Sequence, residues 1–152
     1  MSGMEIRAAG PSDLTRLLTM ATGFYSEGRF TTTVSELRSN LATLLRTDTA
    51  RVAIAARQDD IVGFAITTLG FGLEHGAIAE LQDLFVEPAH RRSGVGAALI
   101  EDSASWAESR GCRTLELVIA PNGKNVAHLF GYYARRNFTD QGRRLLSRNL
   151  SH

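Results

Sequence analysis

The sequence predicts a single α/β domain built on a mixed sheet. Three observations carry that reading. Two amphipathic helical stretches follow a short opening strand, period-two segments fill the middle, and a strand, a glycine loop and a helix lead into a final strand–helix–strand pattern. Because two helices come in succession before the middle strands, the order is not the regular alternation of a doubly wound sheet. A chain of 152 residues is long enough for its own core, and 43% hydrophobic with 22% charged residues is the usual balance of a soluble globular domain.

Glu5-Ile6-Arg7-Ala8 reads as the first strand. Pro11-Ser12-Asp13 signals a helix start with Ser12 as candidate N-cap, and Leu14, Leu17, Leu18, Ala21, Phe24 and Tyr25 recur at helical spacing. Residues 23–33 interrupt that stripe. Thr33 with Glu36 then makes a capping box for a second helix, whose apolar side is Leu37, Leu41, Leu44 and Leu45. From Arg51 the period becomes two. Val52, Ile54 and Ala56 alternate, Gln58-Asp59-Asp60 turns the chain, and Ile61 to Leu69 forms the partner strand of a hairpin. Gly70-Phe71-Gly72 and His75-Gly76 mark the next turn, followed by a strand from Ala77 to Val86. A helix from Gly94 to about Arg110 buries Val95, Ala98, Leu99 and Trp106, with Gly111 as its C′ residue. Thr114 to Ile119 is β-branched and apolar, hence a buried strand. Pro121-Asn122-Gly123 turns into a helix carrying Val126, Leu129, Phe130 and Tyr133, which Asn137 ends. A last strand over about Arg144 to Leu150 closes the sheet.

Composition narrows the functional classes. The single cysteine, Cys112, excludes an intrachain disulfide framework and reads as a small buried side chain. Met1 to Gly10 has neither the basic region nor the apolar core of a signal peptide. No apolar run approaches the ~18 residues of a membrane span, so the expected setting is soluble and cytoplasmic, without membrane. The net charge of +1 hides an asymmetry: from Arg110 onward, eight basic residues stand against Glu116 and Asp140 alone. Such an end suits an acidic ligand or a solvated face equally. Aromatic residues do not interleave with these arginines as a single-strand platform requires, which argues against nucleic acid. His75, His90 and His128 show no metal-ligand spacing, so no metal is expected.

The chemistry concentrates in Leu84-Phe85-Val86-Glu87-Pro88-Ala89-His90-Arg91-Arg92-Ser93-Gly94-Val95-Gly96-Ala97-Ala98-Leu99. Pro88 lacks a ladder donor and biases Glu87 away from helix, so the strand stops there. Gly94 and Gly96 remove Cβ atoms where the chain enters a helix, whose first N–H groups are unpaired and lie at the positive end of the macrodipole. Arg91 and Arg92 add two charges. The result is an anion site suited to phosphate or pyrophosphate. It is neither the dinucleotide fingerprint, since Leu99 stands where a third glycine is needed, nor a P-loop, since no G-K-[ST] exists.

This R-x-x-G-x-G, placed at a helix start straight after a strand ending Val-Glu-Pro, resembles the acyl-CoA pyrophosphate loop of the GNAT N-acetyltransferase superfamily. The order of elements agrees along nearly the whole chain, and the motifs lie between Glu80 and Phe138. The resemblance implies the GNAT fold: a mixed central sheet of six to seven strands flanked by four helices, as one domain over residues 1–152. It implies acetyl-CoA as co-substrate, direct transfer to a primary amine in a ternary complex, and a homodimer as an assembly open to the chain. Backbone groups of Leu84, Phe85 and Val86 would bond the pantetheine arm in a gap beside that strand. Arg91, Arg92, Ser93, Gly94, Val95, Gly96 and Ala97 would hold the pyrophosphate. Asn125 matches a family asparagine that contacts the arm, although it stands eight residues before Tyr133 where seven is usual.

The reaction needs an amine that has lost its proton, donors for a tetrahedral oxyanion and a proton for the departing thiolate. Glu80 falls where some family members place a general base, with Asp83 second and a water chain as the third option. Simple alternation puts Glu80, Gln82, Leu84 and Val86 on one face and Leu81, Asp83 and Phe85 on the other. Both carboxylates reach one amine only if a bulge shifts the register. Tyr132-Tyr133-Ala134-Arg135-Arg136-Asn137-Phe138 resembles the family's F-Y-E-K-L-G-F, which makes Tyr133 the tyrosine that donates to sulfur. A one-residue shift would exchange Tyr132 and Tyr133, and Asn137 replaces a glycine in a position where asparagine tolerates positive φ. The expected acceptor is a small-molecule amine. Two further readings stay open: a non-catalytic acyl-CoA-binding regulatory module, and transfer to a protein or aminoacyl-tRNA amine.

Overall fold

A computed structural model of the chain describes residues 3–27, 31–120 and 125–150. Strand β1 (Met4–Ala8) leads through a 3-10 turn (Pro11–Asp13) into helix α1 (Leu14–Glu27) and then α2 (Val34–Arg46). Strands β2 (Ala50–Arg57), β3 (Asp60–Gly72) and β4 (Gly76–Val86) follow. A second 3-10 turn (Pro88–His90) precedes α3 (Val95–Ser109), β5 (Leu115–Glu116) and α4 (Ala127–Ala134). The sheet runs β1-β2-β3-β4-β5, antiparallel through β4 and parallel between β4 and β5.

Two cores flank this sheet because its central strands bury both faces. On one side Val52, Ile54, Phe64, Ile66 and Phe85 meet Leu17, Leu18, Met20 and Leu41 from α1 and α2. On the other, Ala53, Ala55, Val62, Ala65 and Leu81 meet Val95, Leu99 and Ile100 from α3. In β2 the larger residues face α1 and α2 while alanines face α3, so α3 lies close to the strands. Full burial of Phe64, Ile54, Leu17 and Leu99 contributes roughly 1.5–3 kcal/mol each. Two polar contacts fix α3 in place: Arg51 donates bidentately to Asp102 at 2.8 and 2.9 Å, and Thr67 donates to Ser103 at 3.0 Å, both hydroxyls buried.

Local signals explain the boundaries. Thr33 accepts from Glu36 N at 3.1 Å and Glu36 reaches back to Thr33, the expected capping box of α2. Gln58 and Asp59 both adopt positive φ, the conformation of a two-residue hairpin turn. At the end of α3, Gly111 has φ +85°, its N–H meets Glu108 O and Cys112 N–H meets Ala107 O, a Schellman closure. Asn137 takes φ +70° after α4, as its place in the motif requires.

Three expectations are corrected. Ser12 is not the cap: Asp13 accepts from Gly10 N at 2.8 Å and is held by Arg7 at 3.0 and 3.1 Å. The sheet has five strands among the described residues, not six to seven. Residues 139–150 form no strand and are exposed; adjacent Leu145 and Leu146 break the alternation that would give them one buried face. The strand expected over Thr114 to Ile119 is paired only at Leu115–Glu116, because the chain beyond it leaves β4. The expected turn Pro121-Asn122-Gly123 lies outside the described residues. No helix among the described residues is long and apolar enough to cross a membrane.

Candidate active site

The site is built on the divergence of β4 and β5. They pair only at Ala79–Leu115 and Glu80–Glu116, while β4 continues to Val86 paired on its other edge with β3. Glu87 N donates to Val62 O in β3 at 2.8 Å. The alternation of an antiparallel ladder therefore turns the N–H and C=O of Val86 toward the vacated edge. Arg91 Nε reaches that carbonyl at 2.8 Å, with its guanidinium 5.5 Å from the centre of the Phe85 ring. An extended ligand arm laid along this edge would find backbone groups at strand spacing that β5 does not pair.

The glycine loop lies at the end of this edge. Arg92 at φ +62° and Gly94 at φ +85° turn the chain into α3. Gly94 is the N-cap, and the first helical bond runs from Ala98 N to Gly94 O at 3.0 Å. The N–H groups of Val95, Gly96 and Ala97 thus lack partners within the helix and face the loop. Arg91, Arg92 and Ser93 are exposed around them. A cation pair, a positive helix end and open amides fit the pyrophosphate of a nucleotide thiol.

Gly94 and Gly96 act differently. A Cβ at Gly94 would meet nothing, so its glycine serves the positive φ. A Cβ at Gly96 would collide with Tyr132 Oη, so that space belongs to the tyrosine from α4. Arg136 lies over the same ring, 3.6 Å from its centre, and donates to Tyr132 O at 2.8 Å. Tyr133 packs edge-on to Tyr132 and Phe138, with centroids 5.1 and 5.6 Å away. Burial, with a smaller contribution from Tyr132, pushes the Tyr133 hydroxyl up to about 12 against a lowering by Arg136. Asn125 Oδ1 accepts from Ala127 N at 3.0 Å in a turn just ahead of α4, whose N-cap is Val126.

Register corrects the faces of β4. The ladder pairs Thr67 with Leu81 and Ile66 with Asp83, leaving Gln82 as the extra residue of a bulge. Ala79 and Leu81 pack with α3 residues, as do Leu84 and Val86, whereas Phe85 joins the α1–α2 core. Gln82 reaches Thr68 Oγ1 at 3.0 Å and Asp83 accepts from Tyr25 of α1 at 2.6 Å. Glu80, Gln82 and Asp83 therefore share the α1–α2 face, not the two faces that alternation gives. Glu80 occupies the last paired position before the gap, beside Glu116 on β5, which Arg143 approaches at 3.8 Å. Burial pushes the Asp83 carboxyl up despite the Tyr25 hydroxyl, and burial with that carboxylate pushes Tyr25 up.

The sheet thus acts as a partition that opens where β4 and β5 part. The glycine loop and Tyr133 belong to the α3–α4 side, the carboxylates to the α1–α2 side, and the gap between β4 and β5 joins them. Three residues beside the site carry no signal in the sequence: Tyr25, which falls in the apolar stripe of α1; Glu116, whose partner is set by a parallel register; and Arg57, which reaches the loop from β2. Among the described residues, no group of three or more His, Cys, Asp and Glu is placed to hold a metal.

Comparison with known proteins converges on one family. A family model described as the acetyltransferase (GNAT) family matches residues 14–138. An aminoglycoside N(6')-acetyltransferase type 1 of Klebsiella aerogenes is 32% identical over 114 residues, 70% of this chain and 72% of the relative. An uncharacterized N-acetyltransferase of Archaeoglobus fulgidus is 30% identical over 142 residues, 91% of each chain. The solved structure of the aminoglycoside N-acetyltransferase AAC(6')-Iy in complex with CoA shares the fold at 20% identity, with a TM-score of 0.84 over 98% of this chain and 96% of that one. The chain belongs to the acetyltransferase (GNAT) family and is an N-acetyltransferase.

Proposed function

We propose that this chain, as one domain over residues 1–152, moves the acetyl group of acetyl-CoA directly to a primary amine of a small molecule within a ternary complex. The observation that carries the reading is the gap between β4 and β5, with an anion loop at its end and carboxylates on the opposite side of the sheet. Leu84, Phe85 and Val86 supply the strand edge for the pantetheine arm, and Arg91 to Ala97 the pyrophosphate cradle. The cofactor role of Asn125 rests on family resemblance, since its carbonyl oxygen is taken by Ala127 N in the turn ahead of α4.

Glu80 takes the proton that the acceptor ammonium must lose before it has a lone pair for attack. Glu80, Asp83 and Glu116 on one face attract a cationic amine before the chemistry begins. Tyr133 keeps its proton at neutral pH and donates a hydrogen bond to the sulfur as thiolate charge develops. The Klebsiella aerogenes relative and the AAC(6')-Iy structure are both named as aminoglycoside N-acetyltransferases, which supports a small-molecule amine here.

Thermal unfolding with and without acetyl-CoA tests the first half. A ligand that binds only the folded state at about 100 times its Kd adds ~2.7 kcal/mol. Thiol release during a screen of small amines tests the second half. No shift at millimolar acetyl-CoA would overturn the cofactor assignment, and binding without release by any amine would overturn the small-molecule acceptor.

A further inference from the structure

We propose that Arg57 is a positioning residue for the cofactor loop, a role that rests on reading residues 91–97 as the pyrophosphate cradle. Arg57 is the last residue of β2, held in the sheet opposite Met4 on one side and Asp60 on the other. Its guanidinium leaves the sheet and spans the loop. Nη1 donates to Ser93 Oγ at 3.3 Å and lies 3.4 Å from His90 Nδ1, while Nη2 donates to the Ser93 carbonyl at 3.4 Å. Ser93 Oγ in turn donates to the His90 carbonyl. One fork therefore ties both ends of the segment His90 to Ser93 to a rigid strand.

That segment needs such a tie. Arg92 holds a positive φ that a residue with a side chain adopts only where its surroundings over-determine it, and Gly94 follows with another. The Ser93 carbonyl lies between the two, so its direction sets the aim of the amides of Val95, Gly96 and Ala97. Asp60, which lines the same recess as Arg57 and His90, is engaged by Arg16 at 3.5 Å. Arg16 also holds Ile61 O at 3.1 Å and Glu87 at 3.5 Å, at the start of the loop. Arg57 serves its other end. The planar fork places two nitrogens on Ser93, Nη1 on its hydroxyl and Nη2 on its carbonyl; a lysine ammonium carries the charge on a single nitrogen without that geometry.

The test is the affinity for acetyl-CoA of Arg57→Lys and Arg57→Ala, measured by calorimetry, with steady-state kinetics alongside. Arg57→Lys keeps the charge and the methylene stem, so it separates the fork from the field and remains informative if Arg57→Ala folds poorly. The expected result is a Kd and KM for acetyl-CoA raised roughly tenfold or more in both variants, with kcat and acceptor KM within about twofold of wild type. A wild-type Kd in folded Arg57→Lys would overturn the proposal, as would an equal loss in kcat and acceptor KM. A wild-type protein that does not bind acetyl-CoA would overturn the cradle itself, and with it this role for Arg57.

Discussion

The Tyr132 hydroxyl occupies the space that a Cβ would need at Gly96. Through that contact α4 docks on the first turn of α3, and Arg136 covers the other side of the ring. Gly96→Ala must push the tyrosine outward, an overpacking change that costs about 1–3 kcal/mol. A chemical denaturation series should find that loss together with weaker acetyl-CoA binding. Gly96→Ala combined with Tyr132→Phe should recover part of both, because the phenyl ring lacks the colliding oxygen. Full stability in the single variant would show that α4 is not seated on this glycine.

Gly94 gives the contrasting case. A Cβ there meets no atom, but φ +85° is left-handed, which costs an L-residue about 1–2 kcal/mol. Gly94→Ala should therefore lose about that much stability with no help from removing Tyr132. Acetyl-CoA affinity should fall further with Gly94→Val, whose branched side chain restricts the same turn. Unchanged stability and affinity in both variants would remove Gly94 from the loop's function.

Much of this was legible because it is local. Thr33 with Glu36, Gly111 and Asn137 mark ends through hydrogen bonds or φ values that a few adjacent residues determine. The turn from β4 into α3 through Gly94 was legible for the same reason. The faces of β4 were not: Gln82 looks like any strand residue, and only the register against Thr67 and Ile66 reveals a bulge that turns Asp83 to the side of Glu80. Nor was Arg57, since its partners come together through hairpin geometry across more than thirty residues. The expected last strand failed because pattern alone was read where a partner edge was required.

Tyr25 and Asp83 give a pH signature. Burial raises the Asp83 carboxyl in the folded protein above its unfolded range. For a raised acid, the favourable contribution is complete below the unfolded pKa and is lost as pH rises through the folded one. Asp83→Asn keeps an acceptor for the Tyr25 hydroxyl without the buried charge. Its stability relative to wild type should therefore rise from acid toward neutral pH, as read by urea unfolding between pH 4.5 and 8. A difference that stays flat, or falls with pH, would mean that the carboxylate is well compensated in place.

The roles of Glu80 and Tyr133 separate by kinetics. Glu80→Gln keeps the shape but cannot accept a proton, so kcat should fall by about 10²–10⁴-fold at neutral pH. Part of that loss should return at higher pH, where more of the acceptor is already deprotonated. Tyr133→Phe removes the donor to sulfur and should lower kcat without that recovery. The two effects arise on opposite sides of the sheet, so acetyl-CoA affinity should be little changed in Glu80→Gln. Tyr133, pushed up to about 12, contributes stability below its ordinary value near 10 and loses it only as pH climbs through the folded value. No falling alkaline limb of kcat below about pH 10 should therefore belong to it. Near-normal turnover in Glu80→Gln would transfer the proton to Asp83 or to water, and near-normal turnover in Tyr133→Phe would transfer the donor's role to Tyr132.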